Sequence, residues 1–135
     1  MVTPIEGLAR LRAASESGEL DEFCARHGIR ILTVFGSAVR ESAPRDLDIG
    51  VMTEPGTAFD AVVAINDLIV LTGCDTVDLV HLNRGGPLIR ERALVGSIGL
   101  FESTPGALAA AQSAAIALRI ETDPMRRLDL ELLAG

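Results

Sequence analysis

The chain has 135 residues, a formal net charge of −7 at pH 7 and 48% hydrophobic residues, with four Phe and neither Tyr nor Trp. These figures exclude intrinsic disorder and point to one domain built on an aliphatic core. They also argue against sequence-independent nucleic-acid binding, which needs a basic surface, so no direct nucleic-acid contact is expected.

From the N-terminus, Pro4 to about Ala14 reads as a helix, with Leu8, Leu11 and Ile5 on its inward side. Charges at Glu6, Arg10, Arg12 and Glu16 exclude the apolar segment of a secretory signal. Gly18 breaks this helix, and a second follows from Leu20 to His27 with Gly28 at its C-cap. The β-branched run Ile29 to Phe35, bounded by Gly28 and Gly36, predicts a strand. A second strand is expected from Asp46 to Thr53, ending at the Glu54-Pro55-Gly56 turn. Thr57 would cap the next helix, whose apolar positions are Ala58, Ala61, Val62, Ile65, Leu68, Ile69 and Thr72. Gly73 ends it.

A third strand is expected from about Thr76 to Leu82, a helix from Pro87 to Val95 and a fourth strand from Ser97 to Glu102. Two helices close the chain, Pro105 to Glu121 and Pro124 to Leu133. The uncharged run Ser103 to Leu118 is short for a bilayer and holds Pro105, Gly106 and Gln112, so no membrane span is expected. Cys24 and Cys74 stand alone, which suits reduced thiols in the cytoplasm. The fold class is therefore α+β: a mixed sheet of about four strands flanked by helices, with a helical C-terminal tail. Residues 1–135 form a single domain, with its core at 20–102 and the terminal helices at 105–133.

Three pieces carry chemistry: Gly36-Ser37, Asp46-Leu47-Asp48, and Asp78 in Val77-Asp78-Leu79-Val80. Ten residues separate Phe35 from Asp46, too few for a parallel crossover, so the first two strands should pair antiparallel. The helix between the second and third strands permits a parallel pair, which sets Asp78 beside Asp48. Strand alternation gives Asp46 and Asp48 one face. Carboxylates gathered this way repel unless a cation lies between them. Oxygen-only ligands favour Mg²⁺, or Mn²⁺, together with substrate phosphates. Gly36 lets backbone approach a phosphate, the Ser37 hydroxyl can hold its oxygens, and Arg40 can add positive charge.

Phe-Gly-Ser-Ala-Val-Arg, then Asp-Leu-Asp and Val-Asp-Leu-Val, resembles the nucleotidyltransferase superfamily of the DNA polymerase β type. Within it the likeness is to the small stand-alone members called minimal nucleotidyltransferases, over about Leu20 to Glu102. The resemblance implies that Asp46 and Asp48 bind the metal, that Asp78 is the third carboxylate near the acceptor hydroxyl, and that Gly36 and Ser37 grip the triphosphate of ATP. Many such bacterial proteins pair with a HEPN-type ribonuclease toxin and act as antitoxins by moving AMP from ATP onto a toxin tyrosine. The resemblance thus implies a protein adenylyltransferase with a HEPN-type toxin partner, in a homo- or hetero-oligomer. Three features depart from the family pattern. Eight residues separate Ser37 from Asp46, fewer than is common. Ala38 replaces a larger or basic residue, and Glu41 replaces a glycine.

Two other functions stay open: an antitoxin that neutralises its partner by binding alone, and a small-molecule modifier of the aminoglycoside type. Asp75 is an alternative third carboxylate, although it precedes the strand and suits a turn. Arg84, Arg90 and Arg92 form a basic cluster that is either a solvated helix face or a contact for phosphates or an acidic partner. His81 has the opposite strand parity to Asp78 and is expected to be structural. P-loop, Rossmann and zinc spacings are absent from the sequence.

Overall fold

A computed structural model describes residues 2–134, and the side chains of all of these except 126, 127 and 129–134. Helix α1 (Pro4–Ser17) begins where the Thr3 side chain accepts from the Glu6 N–H, and it ends at left-handed Gly18. It runs past Ala14 to Ser17, and Ile5 lies 45% exposed instead of packing inward. Helix α2 (Glu19–His27) closes on Gly28, whose φ of 64° suits glycine. The remaining elements are β1 (Ile29–Phe35), α3 (Ser37–Arg40), β2 (Leu47–Thr53), α4 (Ala61–Thr72), β3 (Val77–His81), a 3₁₀ turn at Leu82–Arg84, α5 (Pro87–Leu94), β4 (Ile98–Glu102) and α6 (Ala107–Ala134).

The four strands form one sheet in the order β3-β2-β1-β4. Strand β1 is antiparallel to both β2 and β4, while β2 and β3 run parallel across the α4 crossover. Both relations for β2 follow from connection length, as the sequence predicts.

Three expectations about α4 and the C-terminal helices are corrected. Asp60, not Thr57, caps α4: its Oδ1 accepts from the Val62 and Val63 N–H groups at 3.1 and 3.2 Å. The buried stripe of α4 is Ala64, Leu68 and Thr72, and Val62 is 68% exposed. Apolar residues surround nearly the whole of this helix, so their spacing left its rotation undetermined. The two expected C-terminal helices are one, with Pro124 inside α6. Pro124 removes the N–H that would meet the Ile120 carbonyl. Both residues are exposed, so that carbonyl can be solvated and the helix continues.

Each face of the sheet has its own cover. Leu32, Val34, Leu47, Ile49 and Val51 pack with Leu8, Leu11, Leu20, Phe23 and Leu68 of α1, α2 and α4. On the opposite face Ile31 and Phe35 pack with Leu82, Ala93, Leu94 and Ala115, and Met52 and Val80 join them. Strand alternation therefore gives β2 one face of core residues and a second face carrying Asp48, Gly50 and Met52.

Candidate active site

The parallel register places Asp48 opposite Asp78, Leu47 opposite Val77 and Ile49 opposite Leu79. Paired strands lie about 4.8 Å apart, so the two carboxylates share a face as immediate neighbours. Asp46 precedes β2 by one residue, instead of starting the strand as expected, and is exposed together with Asp78. Asp75 is also exposed, but it lies before β3 and outside this register; Asp78 faces Asp48.

On the other side of β2, Phe35 is the registered partner of Asp48, and the chain turns at Gly36 immediately beyond it. Gly36 has φ 74° and ψ −144°, a conformation essentially reserved for glycine. A Cβ built there would fall on Oδ2 of Asp48. The glycine expected to admit a phosphate thus also makes room for the central carboxylate. Ser37 opens the short helix α3, half-buried, and Arg40 ends it, exposed. The structure brings Gly36, Asp46, Asp48 and Asp78 to one edge of the sheet.

The electrostatics report this crowding. Burial, then the charges of Asp78 and Asp46, raise the Asp48 pKa, and the positive charge of Arg92 opposes them. Among the described residues no three His, Cys, Asp or Glu side chains already stand at metal-binding separation. Like charges with no cation between them repel, and an all-oxygen set on one face suits a hard divalent ion. These donors therefore fit Mg²⁺ or Mn²⁺.

Helix α5 crosses the same face. Gly50, two residues beyond Asp48, lets it lie close: a Cβ there would stand 3.1 Å from the Ala93 Cβ and 3.0 Å from Thr33 Oγ1. The buried Thr33 hydroxyl donates to the Ala93 carbonyl at 2.5 Å. Beside the carboxylates opens a cavity of about 540 Å³, lined by Gly36, Arg40, Leu88, Glu91, Arg92 and Val95. The basic cluster of the sequence separates here. Arg90 donates to the Leu82 and Asn83 carbonyls at 2.9 Å each, Arg84 acts on His81, and Arg92 faces the cavity. His81 lies toward the opposite edge, opposite Val51, sharing a 3.0 Å hydrogen bond with Thr53. Burial first, and Arg84 second, lower its pKa. Sequence reasoning passed over Gly50 and Thr33, although a glycine inside a strand is a signal of close approach by another element.

A family model described as polymerase beta, nucleotidyltransferase matches residues 19–105. No sequence among the curated proteins matches this chain. A solved structure of a minimal nucleotidyltransferase is 36% identical, with a TM-score of 0.54, covering 70% of this chain and 93% of its own. A toxin–antitoxin structure with AMP-PNP is 15% identical with a TM-score of 0.70, over 87% of this chain and 98% of its own. A tri-AMPylated Shewanella oneidensis HEPN toxin in complex with an MNT antitoxin gives 15% identity and a TM-score of 0.68, over 92% and 99%. The last two are likenesses of fold.

Proposed function

The chain belongs to the polymerase β nucleotidyltransferase family, and from that premise we propose that it transfers AMP from ATP to a tyrosine hydroxyl of a partner HEPN-type toxin, acting as its antitoxin. The observation that carries this reading is the registered pair Asp48 and Asp78, with Asp46 charge-coupled to it, beside the Gly36 turn. Asp46 and Asp48 would hold Mg²⁺, with Asp78 completing the acidic edge. When bound there, the ion neutralises phosphate charge and activates the phosphorus toward attack.

The chain's own residues do the rest. Gly36 and Ser37 receive the triphosphate, and Arg40 adds positive charge to it. Asp78, exposed at the edge, accepts the proton of the incoming hydroxyl. The acceptor oxygen forms a bond to the α-phosphorus as the bond to pyrophosphate breaks. Catalysis of this kind is mostly positioning and charge neutralisation. The chain has no Tyr, so a tyrosine acceptor must come from another molecule. Likeness to folds solved with AMP-PNP and with an AMPylated HEPN toxin supports the choice of nucleotide and partner. Buried free thiols at Cys24 and Cys74 suit a reducing cytoplasm.

The test is incubation of the chain with ATP, Mg²⁺ and the neighbouring gene's product, followed by intact-mass measurement. A partner heavier by whole adenylyl groups is expected. A partner shown to bind yet unchanged in mass would overturn the reading. A second reading, an antitoxin that acts by binding alone, draws on the eight-residue spacing from Ser37 to Asp46. Asp48→Ala separates the two, because a pure binder still neutralises its partner.

A further inference from the structure

Helix α5 is pinned at three residues on either side of Arg92. Arg90 is bonded to the Leu82 and Asn83 carbonyls. Glu91 pairs with Arg119 of α6, and the Ala93 carbonyl accepts from Thr33. Arg92, between them, is exposed and has no hydrogen bond or close ion pair among the described residues. Its charge acts on Asp48, yet it does not close on that carboxylate. A guanidinium on so firmly held a backbone, at the rim of a cavity shared with Arg40 and Gly36, is placed for an anion that arrives from outside.

Resting on the nucleotidyltransferase reading, we propose that Arg92, with Arg40, holds the β- and γ-phosphates of the nucleoside triphosphate, the part that leaves as pyrophosphate. The cavity, about 540 Å³, has the size of a small-molecule site. A planar guanidinium fork matches two phosphate oxygens at once, which a lysine ammonium does not. Glu91 on the same wall would repel phosphate, and its pairing with Arg119 offsets that charge. Division of labour follows: the carboxylates serve the α-phosphate and acceptor, while the two arginines take the opposite end of the triphosphate. Gly50 and Thr33 set the depth at which Arg92 rides.

Binding of AMP-PNP, inorganic pyrophosphate and AMP is measured by calorimetry in Mg²⁺ for the full chain, Arg92→Gln, Arg92→Lys and Arg84→Gln. Arg84 acts on His81 and stands outside the cavity lining, so its variant is the control. Arg92→Gln is expected to weaken AMP-PNP and pyrophosphate on the order of 10- to 100-fold, the range for a charged hydrogen bond, and to leave AMP within about twofold. Arg92→Lys recovers part of the loss, and Arg84→Gln matches the parent. Equal AMP-PNP affinity in Arg92→Gln and the parent, or an equal loss for AMP, would overturn the assignment. A parent that binds no AMP-PNP overturns it as well. If the parent binds AMP-PNP but modifies no partner, the transferase reading falls while the Arg92 comparison still decides the phosphate assignment.

Discussion

Replacing Gly36 with Ala tests the site where backbone and carboxylate meet. The native φ of 74° with ψ −144° is a conformation that costs a non-glycine residue about 1–3 kcal/mol. The added Cβ also falls on Oδ2 of Asp48, so that side chain must leave its rotamer well at a further cost of about 0.5–1.5 kcal/mol. A domain of this size retains about 5–15 kcal/mol, so the variant folds. At about 3 °C per kcal/mol its thermal midpoint should fall by roughly 5–13 °C. The effect on transfer should be larger, because a displacement near 1 Å at a reacting centre costs about 10²-fold in rate. Thermal unfolding by circular dichroism and AMP transfer by intact mass measure the two effects. The causes separate in an Asp48→Ala background, where the overlap is gone but the backbone cost remains. Gly36→Ala should then be milder by about the rotamer term, a coupling visible in a double-mutant cycle. If Gly36→Ala loses less than about 0.5 kcal/mol and keeps its transfer rate, the placement of Asp48 against this turn is wrong.

Asp48→Asn should stabilise the metal-free chain at neutral pH while abolishing transfer. Because the folded pKa of Asp48 is raised, its contribution to stability is fully present below the ordinary aspartate value near about pH 4 and is lost as pH rises through the folded value. The gain of the Asn variant should therefore develop as pH rises from the ordinary aspartate value to the raised folded one, stay constant above it and vanish in acid, read from denaturation midpoints across pH. The same variant should lose the rise in thermal midpoint that Mg²⁺ gives the parent. Gly50→Ala would bring a Cβ within 3.0 Å of Thr33 Oγ1 and 3.2 Å of Leu82 Cδ1, so overpacking should cost about 1–3 kcal/mol in urea and raise the KM for ATP as α5 is pushed outward. Thr33→Val keeps the shape but orphans the Ala93 carbonyl, for a loss of about 1–3 kcal/mol by the same assay.

Glycine punctuation made β1 legible, and the structure returns Ile29–Phe35 with the expected bounds. Connection length then supplied both pairings of β2, and with them the meeting of Asp48 and Asp78. The expected starts of β2 and β3 were each one residue early, and the register survived because both shifted together. What stayed hidden depends on contacts that spacing does not encode. The rotation of α4 follows from Leu68 and Thr72 docking, not from a pattern that is apolar nearly all round. Arg84, Arg90 and Arg92 look like one cluster in the chain and serve three places in space. A 3₁₀ turn, a pair of carbonyls and the depth of Gly50 divide them.

The construction of β2 explains how a destabilising carboxylate can sit in the middle of a sheet. Leu47, Ile49 and Val51 are fully buried on one face, and each such side chain stabilises the fold by about 1.5–3 kcal/mol. That face holds the strand in register whatever the other face carries. On the other face, bulk has been removed around Asp48: Gly36 across the strand end and Gly50 two residues along. One glycine makes space for the carboxylate itself, and the other lets α5 bring a cation toward it. A larger residue at either position would relieve local backbone entropy in the unfolded chain yet close the site. The raised pKa of Asp48, set first by its burial and then by the charges of Asp78 and Asp46, is the electrostatic cost of gathering carboxylates on this face, offset by the aliphatic layer directly beneath it.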